Sequence, residues 1–362
     1  MLKAAGSATV TQTRIRSEWS GSPVRQFRTG VSLHSHTQHS RESLAFILEL
    51  SQRLPLLGSL LEHATPVDAR RVWWTPPCTP YDAWRLESNQ IEDKLQLKAL
   101  VSLTDHDNIE APLSLRGLVP ISVEWTVPYC GTFFHLGVHN IPGATATQMF
   151  RSLAAVTAGK DHVDPRELLA ALARNPETLI VFNHPCWDEK GIGADRHTET
   201  IGYFVRRYGG FIHALELNGL RPWKENTDVL HLANALGKPV ISGGDRHGLE
   251  PNTILDLTTA ANFSEYVEQV RSGWTHIHIT NQYRENFGLR MLRTIGEVLA
   301  DSWADRVFYH CDDGAARSLT QLFPGAAPHA LRAVINTAAL VRYATVQKTF
   351  RLVMTPQQKF AI

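Results

Sequence analysis

The chain has 362 residues, 43% of them hydrophobic, with 36 Lys and Arg against 35 Asp and Glu for a formal charge of +1. That length and apolar content can fill a substantial core in one large or two ordinary globular domains, which excludes a disordered or fibrous chain. No run of about 18 apolar residues occurs, nor an apolar leader before a small-residue cleavage site, so neither a membrane span nor a secretory signal is expected and a cytoplasmic location follows by default.

The near-neutral total hides an uneven distribution. Residues 1 to 30 carry Lys3, Arg14, Arg16, Arg25 and Arg28 against Glu18 alone, residues 314 to 362 carry six basic side chains and no acidic one, and residues 31 to 313 are left with a net charge of −9. Bound divalent cations would offset part of that excess. Basic ends can attract nucleic acid, but these residues are scattered rather than clustered, and we read them as solvated tails. Cys78, Cys130, Cys186 and Cys311 form no C-x-x-C pair, which fits reduced thiols rather than disulfides or a zinc knuckle.

In chain order, β-like runs fall at Val31–Leu33, Leu100–Leu103, Val119–Val123, Thr132–Val138, Leu179–Phe182, Ala214–Leu217 and Val240–Ser242. Thr79-Pro80-Tyr81-Asp82 opens a helix reaching to about Lys98, with Trp84, Ile91 and Leu95 on its buried side. Asp164-Pro165-Arg166-Glu167 opens another in the same way, with a capping side chain, proline at the first helical position and apolar Leu168, Leu169 and Leu172 following. Asn175-Pro176 ends it. Strand and helix alternating this often predict a mainly parallel sheet or barrel. Residues 286–362 read as helices, with Leu319, Leu322, Leu331, Val334, Leu340 and Val341 buried.

Polar clusters follow these strands. His34 and His36 come after the first, Thr104-Asp105-His106-Asp107 after the second, Glu124 after the third, Asn183-His184-Pro185 after Phe182, and Gly244-Asp245-Arg246-His247 after Ser242. Residues i and i+2 of a strand share a face, so His34 and His36 can reach one ion together. Strand C-terminal ends are where barrel enzymes assemble their sites. The same alternation places His135 and His139 on one face, with His135 read as ligand and His139 as structural. Asp105 and Asp107 are expected to orient His106 or cap the next helix, and Asn183 to support the ligands.

His34-Ser35-His36-Thr37, Leu103-Thr104-Asp105-His106-Asp107, Asn183-His184-Pro185 and Gly243-Gly244-Asp245-Arg246-His247 together resemble the four signature motifs of the PHP (polymerase and histidinol phosphatase) metallophosphoesterases, over residues 30 to 285. The resemblance implies an α/β fold, a distorted (β/α)7 barrel, here with an insertion at about 43–98 after the first strand, a basic tail at 1–29 and a helical C-terminal extension at 286–362. It implies two or three divalent metal ions. His34, His36 and Asp245 would hold the first, Glu124 would bridge to a second held by His135 and His184, and a third would take His106, His247 and Glu42, with His39 in place of Glu42 as the alternative. Imidazole and carboxylate ligands without thiolate suit zinc, manganese or iron. Two such ions lower the pKa of a bridging water and stabilise the phosphate oxygens during in-line displacement.

The function expected is metal-dependent phosphoesterase, hydrolysing a small phosphomonoester or nucleotide, with Glu124, Asp245 and Arg246 as catalytic residues. The alternatives are a nuclease acting on oligonucleotides, or a metallohydrolase of C–N or C–O bonds. Arg246 stands where the family usually has a small residue; it can present a fork to substrate phosphate or pair with an acidic neighbour. Lys190, Arg221, Trp223 and Lys224 lie in loops that can contact substrate. Trp73-Trp74-Thr75-Pro76-Pro77 in the insertion either stacks on a flat substrate or packs the insertion on the barrel. No membrane partner is expected, and the C-terminal extension is a candidate oligomer contact.

Overall fold

A computed structural model describes residues 12–20, 24–43, 71–159, 164–300, 307–310, 314–318 and 321, which form two compact units. The first unit comprises residues up to 36, 79–246 and 251–284. It is an α/β structure built on two five-stranded sheets. Strands β1 (Gln12–Ser17), β2 (Thr29–Ser35), β5 (Lys98–Leu103), β11 (Ile254–Thr258) and β12 (Trp274–Ile279) form one, in the order β1-β12-β11-β2-β5. Strands β6 (Val123–Tyr129), β7 (Thr132–His139), β8 (Leu179–Phe182), β9 (Ala214–Asn218) and β10 (Val240–Gly243) form the other, in the order β10-β9-β8-β7-β6. Residues 12–17, read from sequence as part of a basic tail, thus pair parallel with β12.

The sequence of β8, Leu-Ile-Val-Phe, explains its central place. Ile180 and Phe182 enter a core shared with Trp125, Phe204 and Leu215, whereas Leu179 and Val181 enter a second with Val31, Ile241 and Val267. A strand apolar on both faces is covered on both. The same alternation sorts β6 and β7. Val123, Trp125 and Val127 of β6, and Phe134, Leu136 and Val138 of β7, join the first core, which turns Glu124 and His135 to the opposite face.

The two sheets meet through isolated bridges, not ladders. Gly244 N donates to Leu33 O at 3.0 Å, Glu124 N to Asp105 O at 3.2 Å, and single bridges join Ser35 to Arg246 and His106 to Glu124. The described strands therefore form no closed barrel ladder where a (β/α)7 barrel was expected. The strand and helix alternation fails between β10 and β11, which no helix separates, and between β6 and β7, where the reason is local. Tyr129 faces Thr132 across a two-residue turn whose central residues, Cys130 (φ 48°) and Gly131 (φ 81°), both take the left-handed conformation of a type I′ hairpin, so β6 and β7 run antiparallel with no helix between them. The strand expected at Val119–Val123 begins only at Val123. Pro120 has no N–H to give a ladder, and Ile121 O is taken by Ile141 N at 2.7 Å.

Helices α1 (Pro80–Asn89), α2 (Glu110–Ser114), α3 (Ala146–Thr157), α4 (Pro165–Arg174), α5 (Ala194–Tyr208), α6 (Trp223–Leu236) and α7 (Phe263–Arg271) cover the sheets. α1 packs on β2 and β5, α3 on β6, and α6 on β9. Both helix starts read from sequence are observed. Thr79 Oγ1 accepts from Asp82 N at 3.2 Å, and Asp164 Oδ1 accepts from Arg166 N at 2.8 Å. Beyond Asn89 the chain widens into a π turn over Gln90–Leu95 and stops at Gln96 in the left-handed region (φ 56°), so the long helix expected to Lys98 ends before it.

The second unit contains residues 37–78, 247–250 and 285 onward. Its strands β3 (Glu42–Ser43), β4 (Val72–Trp74), β13 (Val307–His310) and β14 (Ala316–Ser318) make an antiparallel sheet in the order β14-β13-β4-β3, and helix α8 (Phe287–Ala300) precedes β13. The insertion and the C-terminal extension are therefore parts of one sheet. Trp73 lies opposite Tyr309 with ring centroids 4.1 Å apart, which gives Trp73 a packing partner in its own unit. The extension, expected to be helical, includes strands because Val307 is exposed and Phe308 fully buried, a period-2 pattern. Leu319, Leu322, Leu331, Val334, Leu340 and Val341 lie outside the described residues. No helix among the described residues is long and apolar enough to cross a membrane.

Removing either helix cap tests this local reading. Thr79→Ala and Asp164→Ala should each lower the stability of the folded chain by about 1 kcal/mol in urea unfolding, with an unchanged denaturant slope.

Candidate metal centre

Glu124 is the second residue of β6, not the residue after a strand. In register it lies level with Gly137 of β7 and, beyond it, with Val181, one residue before the end of the short strand β8, so it reaches the place that the C-terminal ends of β2, β8 and β10 also approach. Its carboxylate is fully buried and ringed by five imidazoles. Oε2 lies 2.8 Å from His34 Nε2, 3.3 Å from His36 Nε2 and 3.3 Å from His106 Nδ1. Oε1 lies 3.1 Å from His184 Nε2 and 3.5 Å from His135 Nδ1, and accepts from Asn183 Nδ2 at 2.9 Å. Asp245 Oδ1 completes the group, 3.7 Å from His34 Nε2 and 3.5 Å from His36 Nε2.

His34 and His36 do converge, but not by simple strand alternation. The register of β2 shifts between Leu33 and Ser35, and His34 sits at φ 62°, so a bulge re-aims the ring. His184 (φ 26°) and Asp245 (φ 52°) are also left-handed although neither is glycine. Such conformations cost of order 1–3 kcal/mol each and persist where surrounding structure over-determines them, typically at functional sites.

Three sets of donors in this unit lie close enough to share an ion: His34, His36 and Glu124; His34, His184 and Asp245; and His106, Glu124 and His135. His106, assigned from sequence to a third ion, is thus brought beside Glu124. Glu42 and His247 belong to the second unit, where Glu42 Oε2 lies 3.2 Å from His247 Nε2 and Glu42 Oε1 accepts from Ser40. His139 is in none of these sets; its Nδ1 hydrogen-bonds Ser102 Oγ at 2.8 Å, as a structural histidine would. Asp107 accepts from Thr126 N and Thr157 Oγ1, both at 3.0 Å, and so anchors β6 to α3.

Sequence reasoning missed Glu216. Its Oε1 meets His34 Nδ1 at 2.5 Å, and its Oε2 accepts from His184 N at 2.7 Å and Asn218 Nδ2 at 3.0 Å, so one buried carboxylate orients the ring of His34 and the backbone of His184. The signal was present: Ala214-Leu-Glu-Leu-Asn218 is an apolar strand with a single charge, two residues beyond Ala214 and therefore on the same face. Gly243 leaves it room, since a Cβ there would fall 1.6 Å from Glu216 Oε1.

Arg246 takes the second of its two expected roles. Its Nε lies 2.9 Å from Glu87 Oε1, its Nη2 donates to His36 O at 3.0 Å, and the side chain is buried. The fork expected to meet substrate is turned into the protein. Arg221 is nearer the cluster: Nη2 lies 3.3 Å from Asp245 Oδ2 and the guanidinium sits 3.4 Å from the Trp187 ring centroid. Lys190 rests on the Phe133 ring at 5.0 Å, and Glu189 Oε2 lies 3.8 Å from His135 Nδ1.

Charge within the cluster is strongly coupled. Burial would raise the Glu124 carboxyl, but the charges of His34, His106 and His135 and a hydrogen bond to His184 hold it well below the usual carboxylate range. Burial would lower His34, yet Glu124 and Glu216 hold it well above the usual imidazole range. Burial, reinforced by the neighbouring imidazoles, drives His135 well below that range. The donor set of neutral imidazole and carboxylate, without thiolate, fits divalent cations that accept nitrogen and oxygen ligands.

No protein-family model matches the chain, and no curated protein does. Among solved structures it is similar to PsfC from Pseudomonas syringae, at 14% identity over 71% of this chain and 93% of that one, with a TM-score of 0.43. It is also similar to a Bifidobacterium adolescentis protein provisionally named a metal-dependent phosphoesterase, at 14% identity over 67% of this chain and 96% of that one, with a TM-score of 0.36.

Two outcomes follow from the cluster. His34 is held protonated by Glu124 and Glu216, so its ion pairs stabilise the metal-free protein below its raised pKa and are lost as pH climbs through it; a cation must displace that proton. Metal binding should therefore release protons and tighten as pH rises above the ordinary imidazole range, measured by calorimetry in buffers of different ionisation enthalpy. Gly243→Ala should displace Glu216 and weaken metal binding about tenfold or more while the chain still folds, read by metal titration beside circular dichroism.

Proposed function

We propose that this protein is a metal-dependent phosphoesterase of the PHP type, with the two sheets read as a distorted barrel around the centre. The observation that carries the reading is the convergence of His34, His36, His106, His135 and His184 on the buried Glu124 carboxylate, with Asp245 beside them. A buried carboxylate whose two oxygens each face different imidazoles is placed to bridge two cations. Bound there, divalent ions would polarise phosphoryl oxygens and make water nucleophilic near neutral pH. His34, His36 and Asp245 would hold one ion, His135 with His106 or His184 the other, and zinc, manganese and iron all suit these ligands.

The protein's own residues supply the rest. Glu216 orients His34 and the His184 backbone, and Asn183 orients Glu124. Arg221, held flat by Trp187 against Asp245, is the cation best placed to meet an incoming phosphate. The substrate proposed is a small phosphomonoester or nucleotide. A nuclease or a hydrolase of C–N or C–O bonds would use the same centre on other substrates.

Purified chain should carry at least two divalent ions, and chelation should abolish hydrolysis; active protein with one ion or none by elemental analysis would sink the dinuclear reading. Glu124→Gln should cut phosphate release by orders of magnitude with the fold retained. A screen of phosphomonoesters, nucleotides, oligonucleotides and amides decides the substrate. Stepwise release of mononucleotides with salt-sensitive binding would make it a nuclease.

A further inference from the structure

We infer that the buried Glu87–Arg246 pair is a positioning device that sets the His34-Ser35-His36 backbone for metal binding, an inference that rests on the metal reading of the centre. Arg246 grips His36 at both of its backbone polar groups. Arg246 O accepts from His36 N at 3.0 Å, and Arg246 Nη2 donates to His36 O at 3.0 Å. Arg246 N also donates to His34 O at 3.3 Å, so one residue, adjacent in the chain to Asp245, holds the backbone of two histidines of the cluster.

Glu87 fixes the other side of that grip. It projects from α1, a helix in the segment between the first two motifs, and is fully buried. Its Oε1 forms an ion pair with Arg246 Nε at 2.9 Å, and its Oε2 accepts from Ser32 Oγ at 2.8 Å and Asn252 N at 3.1 Å. Asn252 Nδ2 in turn donates to Leu33 O and Ser32 Oγ, both at 2.8 Å, and Gln90 Nε2 donates to Asn252 O at 2.7 Å. Gly244 cannot carry a side chain here, because a Cβ would fall 1.6 Å from Asn252 Oδ1.

The chain thus braces β2 from behind where its register shifts and His34 turns left-handed. A strained ligand backbone needs partners that leave it no alternative. A lysine could pair with Glu87 but lacks the fork needed to hold His36 O as well. The network links a helix outside the four motifs to the geometry of His34 and His36, and makes Arg246 a positioning residue instead of a substrate contact.

The test uses the full chain titrated with Mn2+ by calorimetry, with unfolding measured in parallel. Arg246→Lys should lower Mn2+ affinity about tenfold or more, the usual cost of disturbing a group that orients ligands. Breaking a buried pair can unfold a protein, whereas replacing both partners by uncharged groups often restores stability, so the second variant is Glu87→Gln with Arg246→Met. The double variant should recover stability yet keep the weakened Mn2+ binding. Recovery of affinity together with stability, or wild-type affinity in Arg246→Lys, would overturn the inference and leave the pair a core contact. Wild-type chain that binds no Mn2+, Zn2+ or Fe2+ would instead remove the metal reading itself, and this inference with it.

Discussion

A carboxylate with no access to water, Glu124, is the constraint around which the first unit is arranged. An isolated buried charge is costly by several kcal/mol even after relaxation, and the protein offsets that cost by surrounding both oxygens with imidazole nitrogens. Glu124 and Glu216 hold the His34 ring protonated, whereas burial drives His135 the other way. The neighbours Glu216 and Asn183 fix this cluster, one facing His34 and the other donating to Glu124.

Topology explains how so many donors reach one carboxylate. β2, β8 and β10 deliver His34, His184 and Asp245 from their C-terminal ends, as parallel strands do. In the hairpin closed by the type I′ turn at Cys130 and Gly131, β6 presents Glu124 from near its start, level with Val181 near the end of β8, while β7 presents His135 from its interior. Left-handed residues at His34, His184 and Asp245 then aim side chains that a regular strand would send elsewhere. The buried polar chain from Gln90 through Asn252, Glu87 and Arg246 holds one of these kinks in place.

The insertion and the C-terminal extension show a different economy. Each supplies two short strands to a single antiparallel sheet, and Trp73 of one stacks on Tyr309 of the other. Segments far apart in sequence that pair in this way cannot be recognised separately, because each edge is incomplete without its partner.

The sequence by itself determined the elements whose cause is local. The caps at Thr79 and Asp164, the apolar run of β8, and the histidines following strand-like runs were legible because propensity, capping and period-2 burial act over a few residues. That His34, His36, His106, Glu124, His135, His184 and Asp245 gather in one buried cluster was legible from motif and pattern together. Tertiary structure decided what depends on distant partners. It placed Glu124 at a strand start, made Glu216 the partner of His34, turned Arg246 onto Glu87, and made strands of Val307–His310 and Ala316–Ser318. A side chain's role in a buried cluster is set by which opposite charge lies within a few ångströms, and that distance is a property of the fold, not of the neighbouring letters.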